Sequence, residues 1–411
     1  MTSSVVEDTP QISVVIPTCN SSLEMMGLIE SLDRQILPPA EVIIVDSSDG
    51  DGTQKIVENN HLNGILRYKR IDKAYPGKAR NIGVQMATYD WIAFLDSKTV
   101  PQDNWLSEYI NLAKANAVDV VFGLSRARSK GTYQSLLRAA SYGLVSHPTI
   151  PGSLVKKQTF LESGGFLEDV RAGEDLEWKD RLKQSKTKTY CPETSLISYY
   201  GIPMTVGETV RKYVSSSYHN ARATILSNRR DAYLSVLLVF ITLLVAKWNH
   251  IIGGWKMNPL YISHVTKLYL LSMSFFFIVY TIIRLIFHVV GLGKILTLTL
   301  KFTIFILFSG LILKWNAVFA GWVEDAIWYI PHITKIYVCT LALSSILFRG
   351  LLLPRKRGVG KDYLYPFRWI VVGLLGLILD VAKAPGFIFG ALLGLLQNVH
   401  FMIKKQFYSA D

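Results

Sequence analysis

Four short β-rich runs, Ile12–Ile16, Val42–Val45, Ile65–Tyr68 and Trp91–Leu95, are separated by stretches with helical spacing. That alternation constrains the fold more than any other feature of the chain. Parallel strands need a long crossover, and a helix between them supplies it. The pattern predicts an α/β domain built on a Rossmann-like, mostly parallel sheet. Pro17 stops the first run, and Pro38 and Pro39 break the helix that follows it. A helix over Asn104–Ala115 and a further strand at Val118–Phe122 extend the series. The later stretch from His147 to Ser153, with Pro148, Pro151 and Gly152, reads as a turn-rich loop.

Two of the runs end in aspartate, Asp46 after VIIV and Asp96 after WIAFL. A lone aspartate at a strand end is ordinarily a turn former or helix cap. Two of them on one edge of one sheet mark the crevice outside the carboxyl ends of the strands, where open α/β sheets bind ligands.

Hydropathy divides the chain in two. Half of its 411 residues are hydrophobic, and from Ala232 onward they gather into long runs. Ala232–Trp248, Leu268–Val290, Ile295–Leu313 and Lys335–Leu353 approach the ~20 residues that cross a bilayer. Phe367–Ile403 is interrupted at Asp380, Lys383, Pro385 and Gly386, which predicts a hairpin or re-entrant pair. Asp380 and Lys383 are spaced to pair on one helix face. The formal charge of +13 sits largely beside apolar runs, at Arg229–Arg230, Arg355–Arg357 and Lys404–Lys405. This placement fits a membrane with the positive side inside, and no recognition motif accompanies it to suggest nucleic acid. Thr205–Ala223 is amphipathic and suits a membrane interface. The expected organisation is a cytosolic domain over residues 1–204, an interfacial segment over 205–230 and a transmembrane helical domain over 231–411. Cys19, Cys191 and Cys339 are far apart, lack metal-ligand spacing and read as free thiols of a reducing compartment. The polar, acidic N-terminus agrees with a cytoplasmic domain in a multi-pass membrane protein.

SVVIPTCN, VIIVDSSDGDGT, PGKARNIGV, WIAFLDSKTVPQDNWL and PGSLVKKQTFLESGGFLEDVRAGEDLEW follow one another in the order and spacing of family 2 glycosyltransferases with the GT-A fold. The resemblance covers about residues 10–225 and is closest to members that build exopolysaccharides and glycolipids. It implies a nucleotide-diphosphate sugar donor, a uridine diphosphate sugar first among them, and displacement with inversion at the anomeric carbon. It implies that Pro17 and Thr18 line the nucleotide edge and that Asp46 hydrogen-bonds the base. Lys78, Arg80 and Asn81 would lie near the ribose and diphosphate, and Asp96 would match the first acid of the D-x-D motif. Glu174-Asp175 resembles the family's E-D motif, with Asp175 as general base. Trp178 and Arg181, and Arg211, Tyr218 and Arg222 in the amphipathic segment, are the candidates for a lipid-linked acceptor. Trp178 reads equally as a buried aromatic.

Lys98 departs from that pattern, because the family often has a second acid there. The resemblance implies Mg²⁺ or Mn²⁺ bridging the diphosphate, with Asp96 as its protein ligand. Protonated lysine cannot coordinate a metal, so three readings stay open. Asp96 holds the metal with water and phosphate; the Lys98 ammonium stands in for the metal; or Lys98 faces solvent. Two readings of the whole chain compete with a lipid-linked hydroxyl acceptor. One is direct transfer to polyprenyl phosphate. The other is a transporter or assembly scaffold with a degenerate transferase domain.

Overall fold

The structure is a computed structural model. It describes residues 10–59, 64–222, 248–253, 257–261, 310–311, 314–319, 329 and 342–408. The chain divides into two compact units, Met1–Leu226 with Ile346–Asp411, and Ser227–Ser345. The elements that build the site belong to the first.

The expected alternation is present: β1 (Ile12–Thr18), α1 (Ser22–Asp33), β2 (Glu41–Asp46), α2 (Gly52–Glu58), β3 (Leu66–Arg70), α3 (Pro76–Met86) and β4 (Trp91–Phe94). These four strands pair in parallel in the order β3-β2-β1-β4, with every residue of β1 and β2 buried. One layer of core lies under α1 and α4 (Trp105–Ala115), where Trp105, Tyr109, Met25 and Leu28 meet the sheet. A second lies on the opposite face, where Val15, Phe94 and Val84 pack with Phe160 and Trp178.

Beyond β4 the sheet becomes mixed. β7 (His147–Lys156) inserts between β4 and β6 (Val120–Ala127) and is antiparallel to both. This is the segment whose prolines and glycine read as a loop. Pairing with β6 shifts register between Val121 and Gly123, and a side chain at Gly123 would collide with the Pro151 carbonyl. A β-bulge and a bare glycine thus admit the Pro-Gly pair into a strand. The short strands β5 (Thr99–Pro101) and β9 (Ile197–Tyr199) pair antiparallel, β9 runs parallel to β6, and β8 (Thr189–Tyr190) also joins β6.

After β9, α8 (Val206–Arg222) matches the predicted amphipathic segment. The C-terminal tract forms a single helix, α9 (Arg368–Tyr408), with Pro385 inside it. A hairpin or re-entrant pair is therefore not what the tract adopts. Gly386 and Gly390 face α8 so closely that a side chain there would overlap the backbone carbonyls of Val214 and Tyr218. This is the small-xxx-small spacing that lets two helix backbones approach. Val372 and Leu379 on α9 join a cluster with Ile202, Val359, Leu364 and Leu137, the last on α5 (Thr132–Ser141). The other face of α9 exposes Ile370, Val371, Leu374, Ile378 and Val381 at helical spacing. Asp380 pairs with Lys383 at 3.3 Å as expected, and also with Arg349 at 2.8 Å. Among the described residues one helix, over Arg368–Gly390, is long and apolar enough to cross a membrane. The expected spans Ala232–Trp248, Leu268–Val290 and Ile295–Leu313, and the first part of Lys335–Leu353, lie almost entirely outside the described residues.

Candidate functional site

β1 leads outward to β2 and β3 on one side, and β4 lies on its other side. The chain reverses its direction across the sheet between β1 and β4, so the crevice beyond their carboxyl ends is the topological switch point. Asp96, Ser97 and Lys98 lie just after β4, Thr18 ends β1, and Cys19 and the first turn of α1 follow it. The Asp96 turn is tied by the Thr99 hydroxyl, which donates to the Asp96 carbonyl at 2.6 Å and accepts from the Asp96 N–H at 3.1 Å.

Arg80 on α3 joins the two expected halves of the site. Its side chain is 4% exposed, with Nη2 2.7 Å from Asp96 Oδ1 and Nη1 2.8 Å from Glu174 Oε1. A buried guanidinium is tolerated only when paired, and here two carboxylates share it. The Phe166 ring lies under it at 5.5 Å. Arg80 is therefore a bridge from the donor edge to the acidic helix α7 (Glu174–Gln184). Desolvation drives Glu174 up to about 7, against the pull of Arg80 and with further upward push from Asp175. Burial likewise raises half-buried Asp175, with Arg80 opposing. Arginine stays charged throughout, so the titrating members are the two acids. Gly173 precedes them with φ 95°, a left-handed conformation that favours glycine, and this turns the chain into α7. The Leu176 N–H donates to Asp175 Oδ1 at 2.9 Å and fixes that carboxylate.

The loop before α7 is held by side chains that had been expected at the ligands. Asn81 Oδ1 accepts from the Phe166 N–H at 2.9 Å, and its Nδ2 donates to the Phe166 carbonyl at 2.9 Å and to Glu168 at 3.0 Å. Arg181 binds Glu177 at 2.6 Å and donates to the Ser163 and Gly165 carbonyls. Trp178 is fully buried among Phe160, Phe166 and Phe122, with its indole N–H donating to Ser163 Oγ at 2.7 Å. Asn81 and Arg181 thus clamp the loop, and Trp178 has no open face for a sugar. Trp178 is thus the buried aromatic that the sequence equally allowed, while Asn81 and Arg181 have partners within the fold.

At the donor edge Pro17 is buried in β1 opposite Val45, and Thr18 Oγ1 is buried without a hydrogen-bond partner among the described residues. Asp46 is fully buried, with one oxygen accepting from the Tyr68 hydroxyl at 2.8 Å and the other from the Ser48 N–H at 2.9 Å and the Ser48 hydroxyl. Burial and this contact push the Tyr68 phenol up to about 12. Asp46 therefore braces the β2–β3 edge through Tyr68 and Ser48. Lys78 is exposed on the first turn of α3, whose N-terminus also favours anions. Lys98 reaches Glu24 on α1 at 3.6 Å, with both side chains nearly half exposed.

On α8, Arg211 is exposed and Arg222 is the last residue. Tyr218 packs edge-on to His219 at 5.1 Å, and His219 meets Tyr75, the residue before α3, at 5.2 Å. That chain of rings brings α8 to the start of α3. Glu24, Tyr68, Ser48 and Tyr75 carried no signal in the sequence, because each acquires its role from a partner on another element.

The chemistry of the donor set does not fit a divalent cation. Asp96 gives one oxygen to a buried guanidinium, Lys98 adds a second cation on the same turn, and among the described residues no group of three His, Cys, Asp or Glu side chains is disposed to hold a metal.

Residues 13–166 match the family model described as Glycosyl transferase family 2. This segment is similar to family 2 glycosyltransferase domains. Among relatives, poly(ribitol-phosphate) beta-N-acetylglucosaminyltransferase TarP of Staphylococcus aureus is 26% identical over 29% of this chain and 38% of its own length. TarS of the same organism, with the same activity in its name, is 27% identical over 40% of this chain and 30% of its own length. The pre-mycofactocin glycosyltransferase of Mycobacterium tuberculosis is 26% identical over 46% of this chain and 42% of its own length. The chain thus spans less than half the length of each of these curated relatives. Among solved structures, S. aureus TarS 1–349 in complex with UDP-GlcNAc aligns with TM-score 0.40 and 18% identity, over 51% of this chain and 65% of that one.

Proposed function

We propose that the protein transfers a sugar from a nucleotide-diphosphate donor, with inversion, to a lipid-linked acceptor at the cytoplasmic face of a membrane. The observation that carries this reading is the Arg80 bridge, which ties the acid at the switch point, Asp96, to the Glu174-Asp175 pair. An inverting displacement needs a donor diphosphate site and a carboxylate on the opposite face of the sugar, within reach of the attacking hydroxyl. In this account the donor lies along the carboxyl ends of β1 and β4. Asp175 takes the acceptor proton, and its raised pKa brings it closer to the operating pH, as a general base requires. Glu174 orients Arg80 and stays out of the transfer itself. Support for a membrane partner comes from the exposed apolar stripe of α9 and the basic residues Arg355, Lys356, Lys361 and Arg368 exposed near it. Arg211 and Tyr218 on α8 serve the acceptor in this account, in place of Trp178 and Arg181.

The test is a donor screen. Purified protein is mixed with nucleotide sugars and membrane lipid extract, free nucleotide is measured, and glycosylated lipid is sought by mass spectrometry. Nucleotide release that depends on lipid, with a sugar-bearing lipid product, is expected. Failure of every donor to release nucleotide contradicts the reading and favours an assembly scaffold. A product on polyprenyl phosphate that still forms in Asp175→Asn identifies the phosphate as the nucleophile, because an ionised phosphate needs no base.

A further inference from the structure

The family resemblance calls for a divalent cation at the donor diphosphate, and the residues present do not suit one. We propose that donor binding and leaving-group stabilisation here are metal-independent, and that the Lys98 ammonium supplies the counter-charge. The inference rests on the transferase reading above and deepens it.

Three observations carry it. First, Asp96 is already committed to a cation, because its Oδ1 lies 2.7 Å from a guanidinium that Glu174 and burial fix in place. A divalent ion at Asp96 would have that buried charge beside it, with no other acid on the turn to offset the repulsion. Second, Lys98 occupies the switch point itself. It lies just after β4, its carbonyl accepts from the Tyr200 N–H at 2.9 Å, and its side chain reaches Glu24 in the first turn of α1, the helix that follows β1. The ammonium therefore sits between the segments that follow β4 and β1, on the edge where open α/β sheets bind ligands. Third, its partner holds it loosely. A 3.6 Å ion pair between side chains 46% and 40% exposed is screened by water and salt. A diphosphate, with more charge and several acceptor oxygens, displaces Glu24 readily.

The step balances without a metal. The acceptor oxygen bonds to the anomeric carbon as the bond from that carbon to the diphosphate oxygen breaks. The acceptor proton passes to Asp175, and the electron pair of the broken bond stays on the diphosphate, which gains one negative charge. Lys98 meets that charge as it develops.

The test is calorimetric binding of UDP, GDP and TDP to the full chain, in EDTA and in Mg²⁺, for wild type, Lys98→Ala and Lys98→Arg. Lys98 is exposed, and thermal melts check that the variants keep the fold. Wild type is expected to bind one of the three with affinities within about twofold in the two buffers. Lys98→Ala is expected to weaken that binding by about tenfold or more, the scale of one hydrogen bond to a charged group, and Lys98→Arg to restore most of it. A tenfold loss of wild-type binding in EDTA overturns the inference and leaves the transferase reading standing. Lys98→Ala binding as tightly as wild type in EDTA does the same. Binding of no nucleoside diphosphate in either buffer overturns the transferase reading, and this inference with it.

Discussion

The two carboxylates that share Arg80 live in opposite settings. Glu174 is buried, with its side chain 7% exposed, at the start of a helix packed by Trp178 and turned by Gly173. Asp96 is 33% exposed on a turn beside the solvent-facing pair Lys98–Glu24. The acidic side is over-determined: Asn81, Arg181 and the ring cluster all hold the loop that leads to Asp175. The donor side is lightly held, and its charged groups can exchange partners. A transferase benefits from both, since the base has to be fixed and the nucleotide has to come and go.

The largest effect expected on the buried side is chemical. Asp175→Asn should lower kcat by about 10²–10⁴-fold, the usual contribution of a general base, while nucleotide binding changes by less than about twofold. Parallel kinetics and calorimetry check it; loss of binding would mean that the side chain serves the donor instead. Next comes stability. Arg80→Met strands Glu174 as an uncompensated buried acid and should cost about 3–5 kcal/mol in urea unfolding. Adding Glu174→Gln to that background should recover part of the loss, because the two residues are coupled.

The pH behaviour sharpens the same contrast. Glu174 and Asp175 have raised pKa values in the folded protein, so each binds its proton more tightly there than in the unfolded chain. Their contribution to stability is therefore present at low pH. It is lost as pH rises from the ordinary carboxylate value of ~4 toward about 7 for Glu174. Activity runs the other way. Asp175 has to be ionised to accept a proton, so the acid limb of kcat/KM should lie above ~4, and a limb at or below that value contradicts the burial argument. Smaller again, Asn81→Ala should destabilise by about 1–3 kcal/mol by freeing the Phe166 backbone, with the effect read chiefly in thermal unfolding. The smallest change belongs to the open side. Glu24→Gln releases Lys98 and should tighten nucleoside diphosphate binding by less than about fivefold.

The parallel half of the sheet was legible because β1, β2 and β4 are apolar runs closed by proline or aspartate, and local pattern decided them. The mixed half was not. β7 carries Pro148, Pro151 and Gly152, and only its pairing with Gly123 across a bulge makes a strand of them. The C-terminal tract misled for a related reason. Asp380, Lys383 and Pro385 read as breaks, but Arg349 pairs with the acid, Lys383 lies 4.8 Å over the Tyr213 ring, and Gly386 docks on α8. In the site, Asp96, Arg80, Glu174 and Asp175 come from three separate motifs and lie together in the fold. Trp178, Arg181 and Asn81 share those motifs, yet serve the loop. Spacing shows that residues neighbour a site and leaves open which of them face it; burial and partners decide that.

One measurement bears on the centre of this account. The anomeric proton signals of donor and product can be followed by NMR while purified protein consumes a nucleotide sugar in the presence of lipid extract. The account predicts that the donor signal disappears and a product signal of the opposite anomeric configuration takes its place. A product that retains the donor's configuration would contradict direct displacement assisted by Asp175.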